Sequence, residues 1–157
     1  RPFRGAAGLA GEIGHTVVDP EGPRCLCGKR GCVERLASGP YMAADLAAHR
    51  RDGRPLTGKD VAVQAAAGVE DAVDILQRGA AALGVGIGNA VNLLNPQRIV
   101  LGGGVTKAGD AWWAEVRAAA RRTALPEMAF KIVPARFTDD APLWGAVGLA
   151  AMGLAHG

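Results

Sequence analysis

The sequence predicts a single α/β domain, mostly helical, with a few short strands. Three observations lead there. A length of 157 residues with 49% hydrophobic content suffices for one core. Aromatic residues supply only 4% of the chain, so Ala, Val, Leu and Ile must fill that core. Apolar residues recur at helical spacing over 60–67, 71–94 and 110–123, whereas 98–101 is a short apolar run directly after the helix-stopping pair Asn95-Pro96.

In chain order, an opening loop leads to a short strand expected at 15–18 and then to a Gly/Cys-rich knuckle. Residues 32–50 read as helix interrupted at Ser38-Gly39-Pro40, where Ser38 or Gly39 is placed to cap a helix with Pro40 near its first position. A polar connector over 51–59 follows, and Gly68 separates the helices at 60–67 and 71–94. After the strand at 98–101 come a helix at 110–123, a strand at 131–137 and a terminal helix at 142–154. Asp139-Asp140 opens that helix and is expected to cap it rather than to act as a base. Neither an internal repeat nor a low-complexity linker is visible. The start at Arg1-Pro2, without an initiator methionine, leads us to expect a fragment of a longer protein.

Charge excludes some functions. The formal net charge is +3, and thiolates bound to a metal would lower it. The short basic run His49-Arg50-Arg51-Asp52-Gly53-Arg54 has no interleaved aromatics and reads as a solvated helix end, not a nucleic-acid surface. No signal peptide or membrane-spanning run is present, and thiols kept for a metal point to the cytoplasm.

The densest chemistry lies in GEIGHTVVDPEGPRCLCGKRGCVE. It holds all three cysteines, Cys25, Cys27 and Cys32, together with His15. Three soft thiolates and one imidazole form a standard tetrahedral zinc shell. Gly28 and Gly31 allow the tight turn that folds the sulfurs onto one ion. The odd cysteine count argues against a disulfide framework; the bland alternative is three buried or redox-idle thiols.

This segment, with ASGP after it, resembles the second signature of the ROK family of bacterial sugar kinases, sugar-responsive repressors and related proteins. The likeness runs unbroken from Ala10 to Pro40, resumes at NLLNPQRIVLGGGV and returns more weakly at WGAVGLA. In that family the histidine of GEIGH binds zinc through one ring nitrogen and turns the other toward the sugar, which by position is His15. The acids of GEIGH and of the position after the last cysteine hold sugar hydroxyls, which implicates Glu12 and Glu34. Carboxylates suit that task because each accepts two hydroxyl hydrogen bonds. The plain readings are a solvated loop or cap residue for Glu12 and a first-turn helix acid for Glu34.

Two glycine stretches differ in meaning. Gly84-Val85-Gly86-Ile87-Gly88-Asn89 follows no strand and has Asn at its third glycine position, so it is expected to permit close helix packing rather than dinucleotide binding. Gly102-Gly103-Gly104 follows a strand and leads toward a helix, a geometry that exposes backbone amides. The resemblance puts these three glycines beside the adenosine of ATP; the alternative is a plain turn.

The fold the resemblance implies is the C-terminal lobe of an actin-like, ribonuclease-H-like two-lobed ATPase, occupying 1–157, with an incomplete sheet and the zinc knuckle at about 15–34. The Asp-x-Gly-Gly-Thr phosphate loop, the Asn-x-Asn-Asp segment with its catalytic aspartate and the Gly-Thr-Gly loop of such kinases do not occur here. The expectation is therefore part of an ATP-dependent, glucokinase-like hexose kinase using Mg-ATP and structural zinc, with no catalytic residue in this chain and no activity from it alone. The alternatives are the effector-binding lobe of a sugar-responsive repressor and a non-catalytic zinc-stabilised assembly module. The expected partners are a sugar, ATP and further copies in a homodimer or homotetramer, with no direct nucleic-acid contact from this lobe and no membrane.

Overall fold

The computed structural model describes residues 3–50, 53–137 and 139–154. Among them run helices α1 (Val33–Ala37), α2 (Gly39–His49), α3 (Gly58–Ala66), α4 (Glu70–Leu94), α5 (Asp110–Thr123) and α6 (Ala141–Leu154). Two strands, β1 (Arg98–Leu101) and β2 (Lys131–Pro134), pair in parallel, from Arg98 opposite Lys131 to Leu101 opposite Pro134. Short 3-10 turns occupy Ile13–His15 and Gly104–Lys107.

Helix α4 is the axis on which α1, α2, α3 and α5 pack. Glu70 and Asp71 sit in its first turn, where they complement the positive end of the helix. It ends in Asn95 at φ 45°, whose amide returns to the Val91 carbonyl at 2.8 Å, and Pro96 cannot extend it. Its apolar face contributes Ile75, Ile87 and Val91 to a core shared with Met42, Leu46, Val61, Trp112 and Val116. A Cβ at Gly84 would stand 2.5 Å from the Ala119 Cβ and 2.6 Å from the Val116 carbonyl oxygen on α5. One at Gly88 would lie 2.5 Å from the Thr123 Cβ, and one at Gly86 2.7 Å from Val33 on α1. The glycine stretch therefore serves close packing, as its spacing implied.

The ends of α4 and α5 are tied by Asn92, which donates to the Thr123 carbonyl at 3.0 Å and accepts from the Leu125 amide at 2.9 Å. Helix α3 starts at Gly58, slightly earlier than expected, because Thr57 and Asp60 form a capping box. Gly68, at φ +80°, makes the break before α4.

Several boundaries differ from the sequence reading. No strand forms at 15–18: the chain makes the 3-10 turn ending at His15, and only Val17 bridges Cys32. Strand β2 stops at Pro134 instead of reaching 137: the Ala135 amide makes the last bond to β1, at the Leu101 carbonyl, and β1 itself ends at Leu101. Ser38 caps α2 by position, with no side-chain bond to it. The Asp140 carboxylate accepts from the Trp144 indole at 2.8 Å, while its carbonyl takes the Leu143 and Trp144 amides; Asp139 pairs with Lys107 at 2.6 Å. Arg51 and Asp52, in the middle of the basic run, lie outside the described residues. Among the described residues no helix is long and apolar enough to cross a membrane.

Candidate functional site

The knuckle is built by backbone bonds around two left-handed glycines. The Gly28 amide donates to the Cys25 carbonyl at 3.0 Å and the Cys25 amide to the Lys29 carbonyl at 2.8 Å, with Gly28 at φ +89°. Gly31, at φ +58°, has its carbonyl within reach of the Val18 and Asp19 amides. A Cβ there would fall 1.6 Å from the Asp19 carbonyl oxygen, so no other residue fits. Arg24 and Arg30 close the loop as an antiparallel bridge.

This folding gathers His15, Cys25, Cys27 and Cys32 so that their donor atoms all lie within 4.8 Å of one another. The Cys27 and Cys32 sulfurs are 3.5 Å apart, and His15 Nδ1 is 4.0 Å from the Cys25 sulfur. A tetrahedral zinc–thiolate shell puts its sulfurs about 3.8 Å apart, so the donor set fits one such ion in size and chemistry. None of the three cysteines is in a disulfide. Burial, reinforced by the neighbouring Cys27 and Cys25 sulfurs, pushes the Cys32 thiol up to about 11. The Lys29 backbone amide, by contrast, holds the Cys27 thiol below its ordinary value. Like charges at this separation repel, and a divalent metal would offset them.

The other side of the His15 ring faces carboxylates. Nε2 lies 3.7 Å from Glu34 Oε2 and 4.0 Å from Glu12 Oε2. Both separations exceed a hydrogen bond, and both acids remain open to solvent, at 63% exposure for Glu12 and 46% for Glu34. Gly14 makes the approach possible: a Cβ there would sit 3.3 Å from Glu34. Nδ1 toward sulfur and Nε2 toward the acids gives the ring two distinct faces. The sequence-identified residues Glu12, His15 and Glu34 are thus brought together with the cysteines.

Gly102, Gly103 and Gly104 follow β1, but they lead into a 3-10 turn and not directly into α5. Gly103 is at φ +94°, and a Cβ at Gly103 or Gly104 would meet nothing within 4 Å, so one side of this loop is open. Gly104 borders a cleft of about 940 Å³ with Pro40, Leu56, Thr57, Gly58, Val105 and Lys107. Gly102 and Gly103 do not line it. Apart from Gly104, the sequence reading did not assign these residues to a cleft; the Thr57-x-x-Asp60 capping box was the signal that could have located one wall.

It also missed Arg35. This guanidinium makes a two-pronged bond to Asp45 at 2.7 and 2.8 Å and donates from Nε to the Arg24 carbonyl at 3.0 Å. It lies 4.8 Å from the centre of the Tyr41 ring, and the Tyr41 hydroxyl accepts from the Leu26 amide at 3.1 Å.

Comparison with known proteins identifies the family. The chain is 40% identical over 140 residues to a glucokinase of Halalkalibacterium halodurans, covering 81% of the chain and 42% of that protein. It is 38% identical over 151 residues to an N-acetylmannosamine kinase of Citrobacter koseri, covering 96% and 50%. Among solved structures it resembles a ROK hexokinase from Thermus thermophilus, with a TM-score of 0.87 and 32% identity over 100% of the chain and 52% of that structure. It also resembles a ROK transcriptional regulator, a homologue of the E. coli MLC protein, with a TM-score of 0.74 and 33% identity over 87% and 37%. The chain spans about half the length of the curated relatives it matches. The ROK family model matches residues 1–152, and with the donor quartet and its flanking acids in place, the chain belongs to the ROK family.

Proposed function

We propose that this chain is the sugar-binding lobe of an ATP-dependent hexose kinase of the glucokinase type. The observation that carries the reading is the two-faced His15 ring, with Nδ1 toward the cysteines and Nε2 toward Glu12 and Glu34. His15, Cys25, Cys27 and Cys32 would hold one zinc, whose contribution is a structural cross-link, since four protein ligands leave no position for a reactive water. With Nδ1 given to that shell, the ring proton sits on Nε2, which then donates into the space between the two carboxylates. Glu12 and Glu34 accept hydroxyl protons of one hexose through charge-assisted bonds and orient it.

In the intact protein, an aspartate outside residues 1–157 removes the proton of the sugar 6-OH. The oxygen attacks the γ-phosphorus of Mg-ATP, and ADP leaves; positioning and charge stabilisation supply most of the rate. The loop at Gly102, Gly103 and Gly104, with the cleft beside it, receives the nucleoside. The kinase relatives support this class, and the domain assignment is a C-terminal lobe of the actin-like type working against a separate phosphate-binding lobe. The regulator match favours a second reading, in which the same lobe senses a sugar and a DNA-binding segment lies elsewhere in the protein.

The test is the full-length protein assayed with ATP against a hexose panel, together with glucose titration of Glu12→Gln and Glu34→Gln. Hydrogen bonds to charged groups are worth roughly 1.5–3 kcal/mol, so each variant should bind glucose about tenfold to a hundredfold more weakly while keeping its zinc. Wild-type affinity in both variants would remove the assigned sugar site. Sugar binding without phosphate transfer would favour the sensor.

A further inference from the structure

We infer that Arg35 is a positioning residue: through Asp45 and the Arg24 carbonyl it sets Glu34 at the distance from the His15 ring at which both meet one sugar. This rests on the proposed sugar site.

Glu34 lies on α1, a helix of only five residues with no side-chain cap at its start. So short a helix has no stability of its own, and its direction must come from its anchors. Three are visible. Cys32, at its N-cap, belongs to the donor quartet; the Val33 amide bonds the Thr16 carbonyl at 3.0 Å, next to His15; and Arg35 supplies the third.

Arg35 is the residue directly after Glu34, and its side chain is 13% exposed. It reaches α2 at Asp45 with two parallel bonds and reaches the knuckle at Arg24, the residue before the ligand Cys25. Its planar face covers Tyr41, whose hydroxyl holds the Leu26 amide between Cys25 and Cys27. One guanidinium thus joins the sugar carboxylate's helix, the supporting helix and the rim of the donor loop. Arg can do this because its fork matches a carboxylate while Nε remains free for a third partner; an ammonium cannot reproduce that geometry.

The test uses full-length Arg35→Lys, Asp45→Asn and Glu34→Gln, each with zinc content, melting temperature, sugar KM, ATP KM and kcat measured. Arg35→Lys should keep about one zinc per chain and raise the sugar KM by on the order of tenfold, with ATP KM and kcat within about twofold. Asp45→Asn should shift sugar KM in the same direction, and the double variant should be no worse than the more severe single one. If Arg35→Lys and Asp45→Asn leave sugar KM unchanged while Glu34→Gln raises it, the positioning role is wrong and the sugar site stands. If Glu34→Gln also leaves it unchanged, the sugar site itself fails. Should Arg35→Lys not fold, Asp45→Asn decides alone, and equal losses in sugar KM, ATP KM and kcat there would make the pair merely structural.

Discussion

The knuckle and the α4–α5 pair reach order by opposite routes. Around α4, glycines at 84 and 88 bring two helix backbones together, and Trp112, Val116 and Val91 fill the seam behind them. In the knuckle, Cys27 is exposed, Leu26 is 94% exposed, and the residues between 15 and 32 offer little apolar surface to bury. Packing holds the first region, so it tolerates no added atom. Backbone turns and a shared donor set hold the second, so its order depends on what those donors bind.

The largest separation of the two should come from metal removal. Structural zinc binding in small sites is worth about 10–16 kcal/mol at neutral pH, and that free energy is local folding free energy. Chelation of the full-length protein should abolish amide protection across 15–34 and leave α4 and α5 protected, as hydrogen exchange would read. Equal loss in both regions would mean that the two are one cooperative unit. Cys27→Ser, with wild-type metal content and wild-type protease resistance, would take that residue out of the donor set.

The converse perturbation is Gly84→Ala. Its methyl meets a backbone carbonyl and another Cβ, neither of which can swing aside. Overpacking of this kind costs about 1–3 kcal/mol, which lowers the melting temperature by roughly 3–10 °C in a domain of this size. Zinc content should be unchanged. A melting temperature equal to the parent's would show that the helices part more easily than their contact distances imply.

The smallest effect belongs to the capping box. The Thr57 hydroxyl first, and then its amide, hold the Asp60 carboxyl below the ordinary value of 3.8. A depressed folded value means the bond stabilises above 3.8 and that this contribution is lost as pH falls through the lower folded value. Thr57→Ala should cost about 1 kcal/mol at neutral pH, with the gap to the parent narrowing under acid titration. A gap constant down to strongly acidic pH would deny Asp60 any share in the cap.

What the sequence disclosed follows the range of the interactions involved. The quartet was legible because its members lie within eighteen consecutive residues and because cysteines and histidine have few other reasons to cluster. Helices α4 and α5 were legible from spacing, and the Gly84–Gly88 stretch from the absence of a preceding strand. The region at 15–18 misled because Thr16, Val17 and Val18 look like a strand while their backbone serves the turns around Gly31. The strand expected at 131–137 is shorter because its length is set by its partner: β1 ends at Leu101, which takes its last bond from the Ala135 amide, and nothing within 131–137 shows where a distant partner stops. The Arg35–Asp45 pair and the cleft around Thr57, Pro40 and Val105 join separate segments, and no local pattern announces which of them will meet.

The orientation of one imidazole has a thermodynamic consequence. On the proposed reading, His15 touches the ion with Nδ1 and the hexose with Nε2, so neither ligand can be bound without altering the partner the other finds. Linkage then requires reciprocity: whatever factor zinc adds to the affinity for sugar, sugar must add to the affinity for zinc. If zinc strengthens sugar binding, a chelator competing for the metal should therefore extract it less completely as glucose is raised. The cell's supply of a trace metal and its supply of a fuel would be read through the same ring.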